Sequence, residues 1–158
     1  DLAWLRDRWR GPLLVKGVCD PRQAERAAAL GFEGIVVSNH GGRQLDGAVA
    51  AIDMLPEIAA AVGGRMTLLV DGGFRTGPDI LKALALGAAA VQLGRAGLYG
   101  LAVAGEPGVV RALTLLRDEI DVAQALCGVP DLSRLSPADI RTRHAARPTP
   151  FAPEAPAR

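Results

Sequence analysis

Four short apolar runs, each followed by a longer amphipathic stretch, set the tightest limit on how this chain can fold. The runs are PLLVKGV (12–18), GIVVS (34–38), MTLLVD (66–71) and AAVQLG (89–94). Each is continuous rather than alternating, the pattern of parallel strands covered on both faces. The stretches between them read as helices. DPRQAERAAALG offers Asp20 as an N-cap and Pro21 at the first helical position. AVAAIDMLPEIAAAVGG carries Pro56, expected to kink or restart its helix. TGPDILKALALG stops at Gly87, and after the fourth run LYGLAVAG and PGVVRALTLLRDEIDVAQALCG read as a short helix and then a long one.

Repeated strand, loop and helix means α/β with a parallel sheet. Four such units are half of an eight-stranded (β/α) barrel, which needs ~250 residues. A small doubly wound sheet has the same periodicity. Hydrophobic residues make up 49% of the chain and aromatics 4%, so its core must be built from Ala, Leu and Val. The opening DLAWLRDRW resembles the middle of a helix, and the chain reads as part of a longer protein. Residues 1–140 form the expected folded unit, and the Pro- and Ala-rich 141–158 an expected disordered tail in which His144 is solvated.

Charge narrows the function. Lys plus Arg is 18 against 17 acidic residues, so a net charge of +1 gives no electrostatic case for nucleic acid or an anionic membrane surface. Cys19 and Cys127 lack metal-ligand spacing, and reduced, intracellular thiols are expected. ALALGAAAV, the longest apolar run, is about half of what a membrane-spanning helix needs.

Ligands of parallel α/β folds gather at the carboxyl ends of the strands, and the unusual polar residues all fall there. Lys16 lies near the end of the first run. Ser38, Asn39, His40 and Arg43 follow the second, Asp71, Gly72, Gly73 and Arg75 the third, and Gly94 and Arg95 the fourth. DGGFRTG (71–77), which includes Phe74 and leads into a helix, suits a phosphate. Its adjacent glycines admit close backbone approach, the helix N-terminus adds a dipole, and Arg75 brings a charged fork. LGR (93–95) adds a second backbone approach and guanidinium. Lys16, inside an apolar strand, needs a partner, and would stabilise negative charge developing on a bound ring. In SNHGGRQLD (38–46), Arg43 is close enough to hold a carboxylate while His40 takes a proton from the adjacent carbon or its hydroxyl.

Together, LLVKGV, GIVVSNHGGRQLD, DGGFRTGPDILKALALGA and LGRAGLYGLAVAGEPGV resemble the FMN-dependent α-hydroxy acid dehydrogenase and oxidase family, which includes glycolate oxidase and the lactate and mandelate dehydrogenases. The likeness covers about residues 1 to 140 and is closest to the bacterial mandelate and lactate dehydrogenase branch, although Gly72 stands where the mandelate branch tends to have serine. It implies the second half, strands five to eight, of a (β/α)₈ barrel that oxidises an (S)-2-hydroxy acid to the 2-oxo acid. His40 matches the family's base and Arg43 its carboxylate-binding arginine. Lys16 matches the lysine beside the flavin N1/O2 edge, and Ser38 a flavin-contacting serine. Asp71 would bond the ribityl hydroxyls, with Gly72 and Phe74 in the same FMN-binding turn. Gly73, Arg75, Gly94 and Arg95 would hold the FMN phosphate. The electron acceptor (oxygen, quinone or cytochrome) is left open by the resemblance, which implies a homo-oligomer at full length and a cytoplasmic location, peripheral at the inner membrane where an upstream insert anchors it. The family's first half-barrel, which orients the histidine and covers the flavin ring, has no counterpart in these residues. Two other readings are a flavin-dependent isopentenyl diphosphate isomerase, which shares a GGxRxGxD-like segment, and a non-catalytic or merely FMN-binding half-barrel.

Overall fold

The computed structural model describes residues 1–141; the expected tail from residue 142 on, His144 included, lies outside them. A short helix α1 (Leu2–Arg8) precedes four β–α units: β1 (Leu14–Val18) and α2 (Pro21–Ala29), β2 (Gly34–Val37) and α3 (Ala51–Val62), β3 (Thr67–Asp71) and α4 (Gly77–Ala85), then β4 (Ala90–Gln92) and α5 (Arg95–Cys127). The strands form one parallel sheet in the order β1-β2-β3-β4. That order never reverses, so there is no switch point of the kind that defines a doubly wound sheet.

Local sequence explains the helices. Asp20 caps α2 by accepting the Arg22 amide at 2.8 Å, with Pro21 opening the helix as expected. α3 buries Ala51, Leu55, Ile58 and Val62, one stripe of a 3.6-residue period, and ends on left-handed Gly63 at φ 54°. Pro56 does not restart it: the helix runs unbroken from Ala51 to Val62. A buried stripe passing through the proline on both sides outweighs the one backbone hydrogen bond that its missing N–H removes. In α4, Thr76 and Asp79 form a reciprocal capping box. α5 breaks at Ala104 and Gly105, whose non-helical backbone separates the expected short and long segments ahead of Pro107.

The core lies between the sheet and α2–α4, where Ile35, Val37, Leu55, Ile58, Val62 and Val70 are all at most 1% exposed. Each such side chain contributes about 1.5–3 kcal/mol by leaving water. Only β2 is buried at every position; β1, β3 and β4 alternate between more and less exposed residues. The expectation of strands covered on both faces therefore holds for β2 alone. Val15, Ile35 and Leu68 align across the sheet on the helix side, while Lys16, Val36, Leu69 and Ala90 align on the opposite face. That second face carries the polar strand ends, and Leu14 on it is 44% exposed.

Candidate active site

The alternation of the strands brings Lys16, Asp71 and Gln92 to the same open face at its carboxyl end. Lys16 Nζ lies 2.7 Å from Asp71 Oδ2 and donates to Ser38 Oγ at 2.9 Å. This is the partner that a lysine inside an apolar strand requires. Ser38, 1% exposed, also accepts the His40 amide at 3.1 Å, so one hydroxyl ties the lysine to the histidine loop. Burial pushes the neighbouring Cys19 thiol above its ordinary pKa; a hydrogen bond with the Ser38 backbone opposes this and the Asp71 charge adds to it.

His40, Gly41 and Gly42 are successive left-handed residues, at φ 58°, 68° and 73°. For a non-glycine residue this costs about 1–2 kcal/mol, and His40 bears it alone because glycines follow. The paired glycines are thus needed for the turn itself as well as for access. Asn39 fixes the turn, accepting the Gly42 amide at 3.2 Å and donating to the Val49 carbonyl at 3.1 Å. His40 and Arg43 are both exposed, and no described residue hydrogen-bonds to the Arg43 guanidinium.

A cleft of about 650 Å³ runs along this rim, within the range of small-molecule sites. Ten of the eleven candidate residues line it: Lys16, His40, Arg43, Asp71, Gly72, Gly73, Phe74, Arg75, Gly94 and Arg95. Ser38 lies beneath as their support, and the Phe74 ring belongs to the hydrophobic core. Gln44 and Gln92 also line the cleft and were missed from sequence. Gln92 had a usable signal, being a polar side chain at the end of an apolar strand, the feature that picked out Lys16.

One expectation about the anion site is corrected. The N-terminus of α4 is already occupied: the Gly77 amide donates to Glu119 Oε2 at 2.6 Å, and the Arg75 and Thr76 amides to Asp79 Oδ2 at 3.3 and 3.1 Å. Burial alone would raise the Asp79 pKa, but hydrogen bonds from Thr76 and Arg75 and the charge of Lys82 outweigh it and hold that carboxyl below its ordinary value. The free helix end is that of α5, where Gly94 provides no side-chain cap. A side chain built on Gly94 or on Gly73 would meet nothing within 4 Å, so both backbones face open space. Arg95 stands there, donating to the Gly41 carbonyl at 3.2 Å, with Arg75 also on the cleft. This end suits a dianion.

The donor set fits FMN. The anion end would take the phosphate. Asp71 Oδ1, buried and without a hydrogen-bond partner among the described residues, is an acceptor waiting for hydroxyl donors such as those of the ribityl chain. Lys16, paired with the same carboxylate, would be a cation for the ring. The same described residues hold no group of three His, Cys, Asp or Glu that could bind a metal ion, and no helix long and apolar enough to cross a membrane.

Known proteins resemble this chain in sequence and in fold. The chain is 56% identical over 135 residues to an L-lactate dehydrogenase of Caulobacter sp. (strain K31), covering 85% of this chain and 36% of that one. It is 50% identical over 136 residues to an L-lactate dehydrogenase of Pectobacterium atrosepticum, covering 86% and 35%. The fold superposes on the monotopic membrane protein (S)-mandelate dehydrogenase with TM-score 0.85 and 51% identity, over 89% of this chain and 37% of that one. It also matches a mandelate oxidase variant with a monooxide FMN adduct, at TM-score 0.79 and 49% identity over 85% and 44%. The chain thus spans little more than a third of the curated relatives' length and corresponds to part of a TIM barrel. With the sequence model for FMN-dependent dehydrogenases matching residues 1–142, the chain belongs to the FMN-dependent dehydrogenase family.

Proposed function

We propose that this chain is the C-terminal half-barrel of an enzyme that oxidises an (S)-2-hydroxy acid of the lactate, mandelate or glycolate kind to its 2-oxo acid. The observation that carries this reading is that His40, Arg43, Lys16, Asp71, Arg75 and Arg95 all line a single cleft. FMN, when bound, takes up the two electrons released by the substrate. Everything else falls to side chains. Arg43, exposed and unpaired among the described residues, takes the carboxylate in a two-pronged grip. His40, three residues away on the same loop, accepts a proton from the α-carbon or its hydroxyl. Lys16 puts positive charge where negative charge grows, and its bonds to Asp71 and Ser38 fix its direction beforehand. Asp71 and the arginines hold the ribityl and phosphate groups. The rest of the barrel would complete the enclosure. A peripheral membrane location, as in the monotopic (S)-mandelate dehydrogenase, belongs to the same proposal.

The test is a chimera in which the whole chain replaces the matching segment of the Caulobacter L-lactate dehydrogenase. Anaerobic addition of L-lactate or (S)-mandelate is expected to bleach its flavin. His40→Gln is expected to bind FMN normally and lose the bleaching. A His40→Gln chimera reduced at the full rate would refute the role of the histidine.

A further inference from the structure

The pairing of β1 with β2 contains one irregularity. Lys16 pairs with Val36 and Val18 with Val37, so Gly17 is an extra residue with no partner, a β-bulge at the carboxyl end of the strand. Its backbone is left-handed, at φ +94°. A Cβ placed on it would lie 2.7 Å from His40 Nε2 and 3.2 Å from His40 Cε1. Those two atoms are one edge of the imidazole. The bulge therefore presents bare backbone to the ring of the exposed residue proposed as the base. Lys16, the residue before it, is held by Asp71 and Ser38.

We infer that Gly17 is a positioning residue for His40: its missing side chain is the seat of the imidazole. This rests on the reading of His40 as base, and it adds a residue to which neither sequence pattern nor resemblance gave a role. Three observations converge on it. The bulge keeps Lys16 facing the cleft while returning Val18 to the helix side, so Gly17 alone is displaced towards the loop. The backbone angle at Gly17 is one that side chains rarely adopt. And His40, itself in a left-handed conformation, has little backbone freedom with which to retreat. An alanine at position 17 would have to push the imidazole edge from 2.7 Å towards the 3.4 Å at which ordinary contact begins, a shift of 3.4 − 2.7 = 0.7 Å. Displacements near 1 Å at a reacting group lower rates on the order of 10²-fold.

The contact and its consequence can be tested separately. In the 158-residue chain, NMR is expected to show a nuclear Overhauser effect between the Gly17 α-protons and the His40 ring protons; its absence would overturn the seat. In the same chain, the fall in melting temperature caused by Gly17→Ala should be smaller in a His40→Ala background, because part of the penalty is the collision with the ring. An equal fall in both backgrounds would contradict the inference. In the chimera, Gly17→Ala should lower the flavin-reduction rate on the order of 10²-fold, leaving KM and FMN affinity within about twofold. Gly64→Ala serves as the control for backbone strain alone, since Gly64 also has positive φ, at +75°, with nothing within 4 Å of an added Cβ; it should leave the rate unchanged. An unchanged rate in Gly17→Ala, or equal losses of rate and FMN affinity, would overturn the positioning role. If the unaltered chimera fails to reduce its flavin, the proposed oxidation falls, while the first two measurements still decide the seat.

Discussion

Truncating Arg95 separates its observed contact from its proposed one. Its Nη2 donates to the Gly41 carbonyl at 3.2 Å, tying the histidine loop to the start of α5. It is also the first residue after the uncapped Gly94 end of that helix, where a phosphate is proposed to lie. A hydrogen bond to a charged group contributes about 1.5–3 kcal/mol. Arg95 is exposed, and screening by solvent favours the lower end of that range. At about 1.4 kcal/mol per decade, Arg95→Ala should weaken FMN binding about 10- to 30-fold. The helix dipole and Arg75 would remain and limit the loss. Riboflavin provides the control, because it has the ring and ribityl chain without the phosphate. Fluorescence titration of the chimera's apoprotein should show the FMN dissociation constant rising by that factor while that of riboflavin stays within about twofold. Equal losses for both flavins would refute the phosphate assignment and show that Arg95 acts only by holding the Gly41 loop.

Other substitutions probe the same geometry. Arg43→Lys keeps the charge and loses the planar fork; steady-state kinetics of the chimera should show a raised KM and a lower kcat/KM for the 2-hydroxy acid, with FMN affinity unaltered. Glu119→Ala leaves the Gly77 amide without its 2.6 Å acceptor, and urea unfolding of the chain should show a loss of about 1–3 kcal/mol. Asp79 has a folded pKa below its ordinary value of 3.8, so its stabilising effect is complete above that value and disappears as pH falls through the lower, folded one. Acid titration of the melting temperature should therefore fall less steeply below about pH 4 in Asp79→Asn than in the unaltered chain.

Much of this arrangement was legible because strand ends and helix stops are written locally. Asp20–Pro21 and Gly87 mark their boundaries by short-range chemistry, and the polar groups Lys16, Ser38, His40, Asp71 and Arg95 stand out against apolar strands. What escaped depends on neighbours distant in sequence. Pro56 reads as a break until Leu55 and Ile58 on either side of it are seen buried against the sheet. The α4 N-terminus reads as an anion site until Glu119, forty-two positions away, takes the Gly77 amide. Continuous apolar strands suggested cover on both faces, yet a barrel strand also uses apolar residues on its inner face, and here that face stays open. Gly17 carried a faint signal, as a glycine inside a strand marks a bulge or a close backbone approach, but only the register with β2 shows that the close neighbour is His40.

The account's central claim is that an imidazole and a guanidinium on one loop serve a flavin whose phosphate is held at the start of α5. Stopped-flow absorbance of the anaerobic chimera, mixed with L-lactate or (S)-mandelate, tests it most directly. Rapid bleaching of the oxidised flavin band, abolished by His40→Gln with FMN still bound, is the predicted result. A flavin that stays oxidised with the unaltered loop, or bleaches equally fast without the histidine, would contradict it.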